Sequence, residues 1–66
     1  MELCVNGEKL HLPDGATIQA LLDHYKLQSV RVAVELNRDI VAKKAYLNTS
    51  LKSGDTVEIV TFVGGG

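Results

Sequence analysis

The chain has 66 residues, enough for one domain, and a domain of this size buries only about 60% of the surface that its unfolded form exposes. Its seven basic and eight acidic residues are spread along the sequence and give a formal net charge of -1. With two tyrosines, one phenylalanine and no tryptophan, the chain lacks the basic field and the stacking aromatics that nucleic-acid binding requires. A hydrophobic fraction of 45% is typical of a folded, soluble module.

The sequence also bears on location and on metal chemistry. Residues 1–7 do not resemble a signal peptide, and no apolar run approaches the roughly 20 residues that span a bilayer, so we expect a cytoplasmic protein. The single cysteine, Cys4, excludes an internal disulfide and a multi-cysteine metal site, and we expect it to be a packing residue. His11 and His24 lack a second ligand at metal-binding spacing. We therefore expect both histidines at the surface and predict no metal site.

The first predicted elements are a β-hairpin and an amphipathic helix. Residues 1–5 and 8–12 alternate between apolar and polar side chains, which is typical of half-buried strands. Between them lies Asn6-Gly7, a strong signal for a type I′ turn because both residues tolerate positive φ. Thr17 is the predicted N-cap of the helix. The apolar stripe of this helix, spaced i, i+3, i+4 and i+7, consists of Ile18, Leu21, Leu22 and Tyr25.

A second hairpin is predicted after the helix. Residues 30–36 again alternate and predict a strand. Residues 37–39 then form a turn, and residues 40–41 form a short returning strand.

The rest of the chain leads into the last strand. Residues 43–47 are predicted as one helical turn or a loop, which Tyr46 and Leu47 attach to the body of the domain. The pair Lys43-Lys44 is predicted to be a solvated edge, because no glycine-rich loop accompanies it. Residues 53–55 form the next turn and residues 56–63 the final strand.

This order of elements predicts an α+β fold. We expect the first and last strands to pair in parallel at the centre of a mixed sheet, with the one helix covering one face. That is the β-grasp, or ubiquitin-like, arrangement. Residues 1–63 are the predicted domain, and residues 64–66 are a flexible tail. The sheet residues predicted to meet the helix stripe in the core are Leu3, Val5, Leu10, Leu12, Val32, Val34, Val57 and Ile59.

The same alternation leaves a partly apolar set of residues on the other face of the sheet. Arg31, Glu35 and Glu58 form the predicted rim of this set. An exposed apolar patch with a charged rim is a candidate partner-docking face, although scattered apolar side chains are also normal on a protein surface. The predicted docking residues are Cys4, Ala33, Val60 and Phe62.

The chain ends in three glycines, Gly64, Gly65 and Gly66. Such a segment is slim and flexible, because glycine has no Cβ, and its one reactive group is the carboxylate of Gly66. Our hypothesis is that a partner enzyme activates this carboxylate while Gly64 and Gly65 thread a narrow channel. The alternative is a disordered terminus or the remnant of a linker.

Taken together, these residues resemble the sulfur carrier proteins of thiamine biosynthesis, the ThiS family. The resemblance covers essentially the whole chain, and the Gly-Asp turn, β run and glycine end are its most specific part. The departures from the family pattern are Arg38, Ala42, Lys43 and Tyr46. The matching segments are residues 5–8 (Val-Asn-Gly-Glu), 12–17 (Leu-Pro-Asp-Gly-Ala-Thr), 21–22, 31–35, 40–41 and 54–66.

The resemblance implies a carrier and not an enzyme, with no catalytic residue and no cofactor of its own. In such proteins a ThiF-like adenylating enzyme uses ATP and Mg²⁺ to convert the terminal carboxylate, here that of Gly66, to an acyl adenylate. A sulfur relay protein then supplies persulfide sulfur, which leaves a thiocarboxylate. The carrier docks on a ThiG-like thiazole synthase and gives its sulfur to the thiazole ring.

Three alternatives remain open at this point. The nearest is a sulfur carrier for another product, such as the small subunit of molybdopterin synthase, which shares the β-grasp body and the glycine end. The second is a ubiquitin-like modifier, in which Gly66 would form an amide with a lysine. The third is a β-grasp interaction domain whose glycines have no function.

Overall fold

A computed structural model of the chain describes residues 1–62. Val63, the last residue of the predicted domain, and the predicted tail of Gly64, Gly65 and Gly66 lie outside the described residues. In residues 1–62 the main elements, in chain order, are β1 (Glu2–Val5), β2 (Glu8–His11), α1 (Ile18–His24), β3 (Val32–Leu36), β4 (Asp39–Ile40) and β5 (Thr56–Thr61). Short 3₁₀ helices lie at Ser29–Arg31 and Lys43–Ala45.

The strands form one mixed sheet in the order β2-β1-β5-β3-β4. Strands β1 and β5, from opposite ends of the described chain, are parallel neighbours at its centre, with Cys4 beside Thr56 and Val5 beside Val57. The other pairs are antiparallel. The single α-helix of residues 1–62 supplies core side chains to one face of this sheet. The predicted β-grasp arrangement is confirmed.

Two tight turns join the antiparallel pairs at the outer parts of the sheet. In the first, Asn6 and Gly7 have φ of 49° and 82°, which is the left-handed pair that a type I′ turn requires. In the second, Asn37 and Arg38 have φ of 50° and 75°. The first predicted turn is confirmed. The second occurs where predicted but is one residue shorter, because Asp39 pairs with Leu36 and begins β4, and it holds Arg38 in a conformation that usually favours glycine.

Helix α1 begins as predicted but ends one residue before its predicted stripe does. The Oγ1 atom of Thr17 accepts a hydrogen bond of 3.1 Å from the backbone N–H of Ala20, so the N-cap is confirmed. The predicted stripe residues Ile18, Leu21 and Leu22 are fully buried. Tyr25 is 40% exposed, so its assignment to the core is wrong. The reason is that Tyr25 is the C-cap residue, with φ of -91° and ψ of 1°.

The core also contains two residues outside the predicted set. Leu51 is buried, and Tyr46, predicted only to attach a loop, is 1% exposed. Leu10 and Leu12 pack against the core but are half-buried, because β2 is an edge strand and the segment after it leaves the sheet. The buried residues are Leu3, Val5, Ile18, Leu21, Leu22, Val32, Val34, Tyr46, Leu51, Val57 and Ile59.

Two further predictions of side-chain position are wrong. Val30 was expected to continue the alternation of β3, but it lies in the first 3₁₀ helix and is 70% exposed. Leu47 was expected to attach its loop to the body of the domain, but it too is exposed. Val30 lies within a 3₁₀ helix and Leu47 in the loop just after one, so no strand alternation decides which of these side chains faces the core.

The burial of Tyr46 predicts a loss of stability at alkaline pH. Burial raises the pKa of the Tyr46 phenol above its ordinary value of 10.0, and a hydrogen bond with the backbone of Val34 partly offsets this. The neutral phenol is therefore favoured in the folded state. Its contribution is complete below the unfolded-state pKa and is lost as the pH rises through the higher folded-state pKa.

We expect Tyr46→Phe to lose less stability than the unmodified chain as the pH rises above about 10. The measurement is the free energy of unfolding in denaturant as a function of pH. Tyr25→Phe is the matched control, because Tyr25 is much more exposed and should keep the wild-type slope. If the free energy of unfolding fell equally steeply with rising pH in Tyr46→Phe and in the unmodified chain, the raised pKa of Tyr46 would be contradicted.

Candidate docking face and tail root

The face of the sheet opposite the core carries the predicted docking residues. Ala33 and Val60 are direct cross-strand partners on β3 and β5. Val60 is 59% exposed and Phe62, two residues later, is 52% exposed, whereas their strand neighbours Val57 and Ile59 are buried. These three residues, Ala33, Val60 and Phe62, form what we call the apolar strip. Its role in docking stays a prediction.

Cys4 lies on the same face but away from this strip. It is a free cysteine of intermediate burial, and it sits between Lys9 of β2 and Thr56 of β5. The structure therefore places a polar neighbour on each side of Cys4. Of the four predicted docking residues, Ala33, Val60 and Phe62 come together and Cys4 does not.

Sequence reasoning missed one exposed apolar residue on this face. Ile40 of β4 is 80% exposed and lies directly opposite Glu35 of β3, so both side chains are on the same side of the sheet. The available signal was the short hairpin: once Asn37-Arg38 is read as a two-residue turn, the pairing of Ile40 with Glu35 follows.

Phe62, the last described residue, is held by contacts from two directions. Its backbone N–H donates a hydrogen bond of 2.9 Å to the carbonyl oxygen of Arg31, which extends the β3–β5 pairing beyond Thr61. The Nζ atom of Lys43 lies 5.5 Å from the centre of the Phe62 ring, a distance typical of a cation–π contact. We call Phe62, together with its contacts to Arg31 and Lys43, the tail root.

Lys43 differs from its prediction as a solvated edge. Its side chain is exposed, but Nζ donates hydrogen bonds to the carbonyl oxygens of Ser29 (3.0 Å) and Val32. These carbonyls lie where β3 begins and has no strand partner on its outer side. Lys43 therefore stabilises the end of β3 next to the tail root.

On the β1 side, β5 extends beyond the end of its neighbouring strand. Strand β1 ends at Val5, whereas β5 continues to Thr61. The side chain of Asn6 fills part of the gap: its Oδ1 accepts from the N–H of Ile59 at 2.7 Å, and its Nδ2 donates to the carbonyl of the same residue at 3.1 Å. One amide side chain thus reproduces the hydrogen bonds of a missing strand residue.

The second turn provides a similar contact at the start of β5. The Oδ1 atom of Asn37 accepts from the N–H of Thr56 at 2.9 Å, and its Nδ2 donates to Asp55 Oδ1 at 3.0 Å. Its own backbone N–H donates to the carbonyl of Thr56 at 2.8 Å. The asparagines of the two turns therefore hold β5 at its first residue, Thr56, and at Ile59.

A groove of about 320 Å³ lies on the helix side of the sheet near the tail root. Its lining mixes apolar and polar side chains, among them the half-exposed Tyr25. It is formed where the chain leaves the helix beside the first turn. The lining residues are Val5, Asn6, Glu8, Tyr25, Leu27, Ile59 and Thr61.

The histidines lie at the surface as predicted. His11 is exposed, with Nε2 3.5 Å from a carboxylate oxygen of Glu2, and His24 is exposed and stacks edge-on against Tyr25. Within residues 1–62 there is no group of three or more His, Cys, Asp or Glu placed to hold a metal ion. No helix in that part of the chain is long and apolar enough to cross a membrane.

The sheet, the single helix over one face and the apolar strip beside the last strand define a ubiquitin-like β-grasp domain. The model of the ThiS family matches residues 2–66, and the chain belongs to the ThiS family. The sulfur carrier protein ThiS of Bacillus subtilis is 47% identical over 53 residues, which are 80% of each chain. The crystal structure of the thiamine biosynthesis protein ThiS from Geobacter metallireducens superposes with a TM-score of 0.84, at 36% identity and covering 100% of both chains.

A longer relative contains a stretch similar to the whole chain. The thiazole synthase of Paramagnetospirillum magneticum is 42% identical over 66 residues, which are 100% of this chain and 20% of that protein. The chain thus spans about a fifth of this relative's length.

A substitution at Asn6 can distinguish the effect of its side-chain bonds to Ile59 from the effect of its backbone conformation in the turn. Asn6→Gly keeps a residue that tolerates positive φ but removes two hydrogen bonds. At about 0.5–1.5 kcal/mol each, we expect a loss of about 1–3 kcal/mol in the free energy of unfolding. We also expect faster amide hydrogen exchange at Ile59.

Asn37→Gly is the matched control. It changes the same residue type in the same kind of turn, and it should accelerate exchange at Thr56 and leave Ile59 protected. Unchanged exchange at Ile59 in Asn6→Gly would show that the Asn6 side chain does not hold this strand.

Proposed function

We propose that the chain is a sulfur carrier for thiamine biosynthesis and carries its sulfur on the terminal carboxylate of Gly66. The observation that carries this proposal is the match of the ThiS family over residues 2–66, which includes the three glycines. Residues 1–63 are the proposed carrier domain and residues 64–66 the proposed threading tail. The proposed setting is the cytoplasm, where ATP is available to the activating enzyme.

The chemistry that we propose needs nothing from the chain except a carboxylate and access to it. In the site of a ThiF-like enzyme, a carboxylate oxygen of Gly66 attacks the α-phosphorus of Mg²⁺-bound ATP and pyrophosphate leaves. The outer sulfur of a persulfide on the sulfur relay protein then attacks the acyl carbon, and AMP leaves with the bonding electron pair. A thiol reductant cleaves the resulting acyl disulfide, which releases the thiocarboxylate. Adenylation is required because an unmodified carboxylate oxygen is a poor leaving group.

The proposed recipient of the sulfur is a ThiG-like thiazole synthase. Support comes from the relative named thiazole synthase, in which a 66-residue stretch resembling this whole chain is part of one longer polypeptide. A carrier and its recipient that act on the same tail are expected to meet often, and covalent linkage raises their effective concentration.

The apolar strip and Cys4 are the proposed docking face for these partners. Val60 and Phe62 are more than half exposed, and Phe62 immediately precedes the segment that must reach the partner's active site. A docking contact at Phe62 would therefore fix the position of the start of the tail relative to the partner's active site. The remaining residues of the tail then need to span only a short distance into the channel.

The first prediction concerns the end of the chain. Deleting Gly65 and Gly66, or appending residues after Gly66, should abolish ATP–pyrophosphate exchange by the adenylating enzyme, because no correctly placed terminal carboxylate remains. The midpoint of thermal unfolding should change little, since glycines have no side chains to bury. Normal exchange with a C-terminally extended chain would contradict the proposal.

The second prediction concerns the docking face. Phe62→Asp should weaken binding to the adenylating enzyme by about 2 kcal/mol or more, the size expected of an interface hot spot, without unfolding the domain. Leu47→Asp is the matched control, because Leu47 is also exposed but lies in the loop after the second 3₁₀ helix. The measurements are titration calorimetry and thermal unfolding. A loss of stability in Phe62→Asp as large as that of a core substitution would refute the assignment of Phe62 to the face of the sheet opposite the core, which we call the open face.

The third prediction separates a thiazole carrier from the alternatives. Thiocarboxylated protein is combined with thiazole synthase, its sugar-phosphate substrate and a glycine-derived imine. We expect sulfur-containing thiazole phosphate and regenerated carboxylate on Gly66. Activity with the large subunit of molybdopterin synthase and no thiazole would favour the other sulfur pathway, and lysine-linked adducts in cells would favour a protein modifier.

A further inference from the structure

The open face of the sheet carries two carboxylates that have no basic partner in the described part of the chain. Glu35 and Glu58 are direct cross-strand partners on β3 and β5. They lie two residues along these strands from the Ala33–Val60 pair, on the same face of the sheet. The Cβ atoms of directly opposed residues lie about 4.5–5.5 Å apart. Both residues are exposed, and neither takes part in the ion pairs found within residues 1–62. We call Glu35 and Glu58 the acidic pair.

At the other end of the apolar strip the charge is positive. The ammonium of Lys43 lies 5.5 Å from the centre of the Phe62 ring, whereas Arg31 meets Phe62 through its backbone carbonyl and donates from Nε to Gln28. Phe62 lies four positions after Glu58, which is roughly 13 Å along a strand. The apolar strip is therefore bounded by two carboxylates on one side and by the ammonium of Lys43 at the tail root.

Like charges directly opposite each other destabilise a sheet, and covering them with a purely apolar surface would add the cost of desolvating two unpaired carboxylates. A guanidinium removes both penalties, because its planar fork can donate to two carboxylates at once. A partner turned by half a turn would instead place its cation beside the ammonium of Lys43, where like charges repel. The opposite charges at the two ends of the apolar strip thus favour a partner that carries a guanidinium, and they favour one orientation of that partner.

We infer that the open face binds a folded partner protein in one orientation, with a guanidinium of the partner over Glu35 and Glu58, an apolar patch over the strip, and a carboxylate beside Lys43. The inference rests on the proposed function for the identity of the partner, which is the adenylating enzyme. A second copy of this chain is disfavoured, because it would cover Phe62 and so obstruct the tail root that the enzyme must reach. The fixed orientation directs the tail toward the enzyme's active site.

The test is the affinity of the double variant Glu35→Gln and Glu58→Gln for the adenylating enzyme that activates the unmodified chain, measured by calorimetry at several salt concentrations. We expect binding to weaken roughly tenfold or more, with a shallower dependence on salt. The free variant should unfold at the same temperature as the unmodified chain or at a higher one, because the repulsion is gone. Weaker binding together with unreduced stability is a result that a merely structural role does not give.

The matched control is the double variant Glu8→Gln and Asp23→Asn, which changes the net charge equally with exposed carboxylates outside the open face. It should bind with wild-type affinity. Equal affinities and equal salt dependences for the two double variants would overturn the inference. It would also be overturned if the free unmodified chain formed a dimer and the Glu35→Gln, Glu58→Gln variant did not. The proposed function is judged separately, by whether the unmodified chain forms a thiocarboxylate.

Discussion

Strand β5 is the part of the structure on which the rest depends, because it joins the two halves of the sheet. It pairs in parallel with β1 from the first hairpin and antiparallel with β3 from the second. The turns of the same two hairpins each contribute an asparagine side chain to its backbone, Asn37 at Thr56 and Asn6 at Ile59. Each of these asparagines also adopts the positive φ that its turn requires. One residue type therefore both closes each hairpin and attaches it to the central strand.

This arrangement explains how so small a domain keeps one face of its sheet available. The apolar side chains that β1, β3 and β5 direct toward the helix are buried except for the half-buried Leu36, and Tyr46 and Leu51 from the long connection complete that core. The opposite face needs no cover for the fold to form, so it can hold an apolar strip at Val60 and Phe62. The strand that carries Val60 and leads into Phe62 is also the strand that precedes the tail. Its backbone is held as far as Ile59 by Asn6 on one side and as far as Phe62 by Arg31 on the other. In the proposed function, β5 therefore connects the docking face to the tail.

The amino-acid pattern predicted the fold and the two faces well, because both depend on alternation and turn chemistry that are local in the sequence. It did not predict the bonds of Asn6, since Asn6 and Ile59 are 53 residues apart and no periodicity reports such a contact. Tyr25 and Val30 were misplaced because the chain leaves regular structure at the helix C-cap and in a 3₁₀ helix. Leu51 lies in a connection without a repeating pattern. The acidic pair became visible only when the register of β3 and β5 placed Glu35 opposite Glu58.

The central claim is that Gly66 carries sulfur as a thiocarboxylate, and the intact mass of the protein isolated from cells tests it most directly. The account predicts a species heavier than the unmodified chain by the difference between one sulfur and one oxygen atom. Fragmentation should place this increase on the C-terminal residue, and the species should disappear when the adenylating enzyme is absent. Protein found only with an unmodified carboxylate, in cells that are actively making thiamine, would contradict the account.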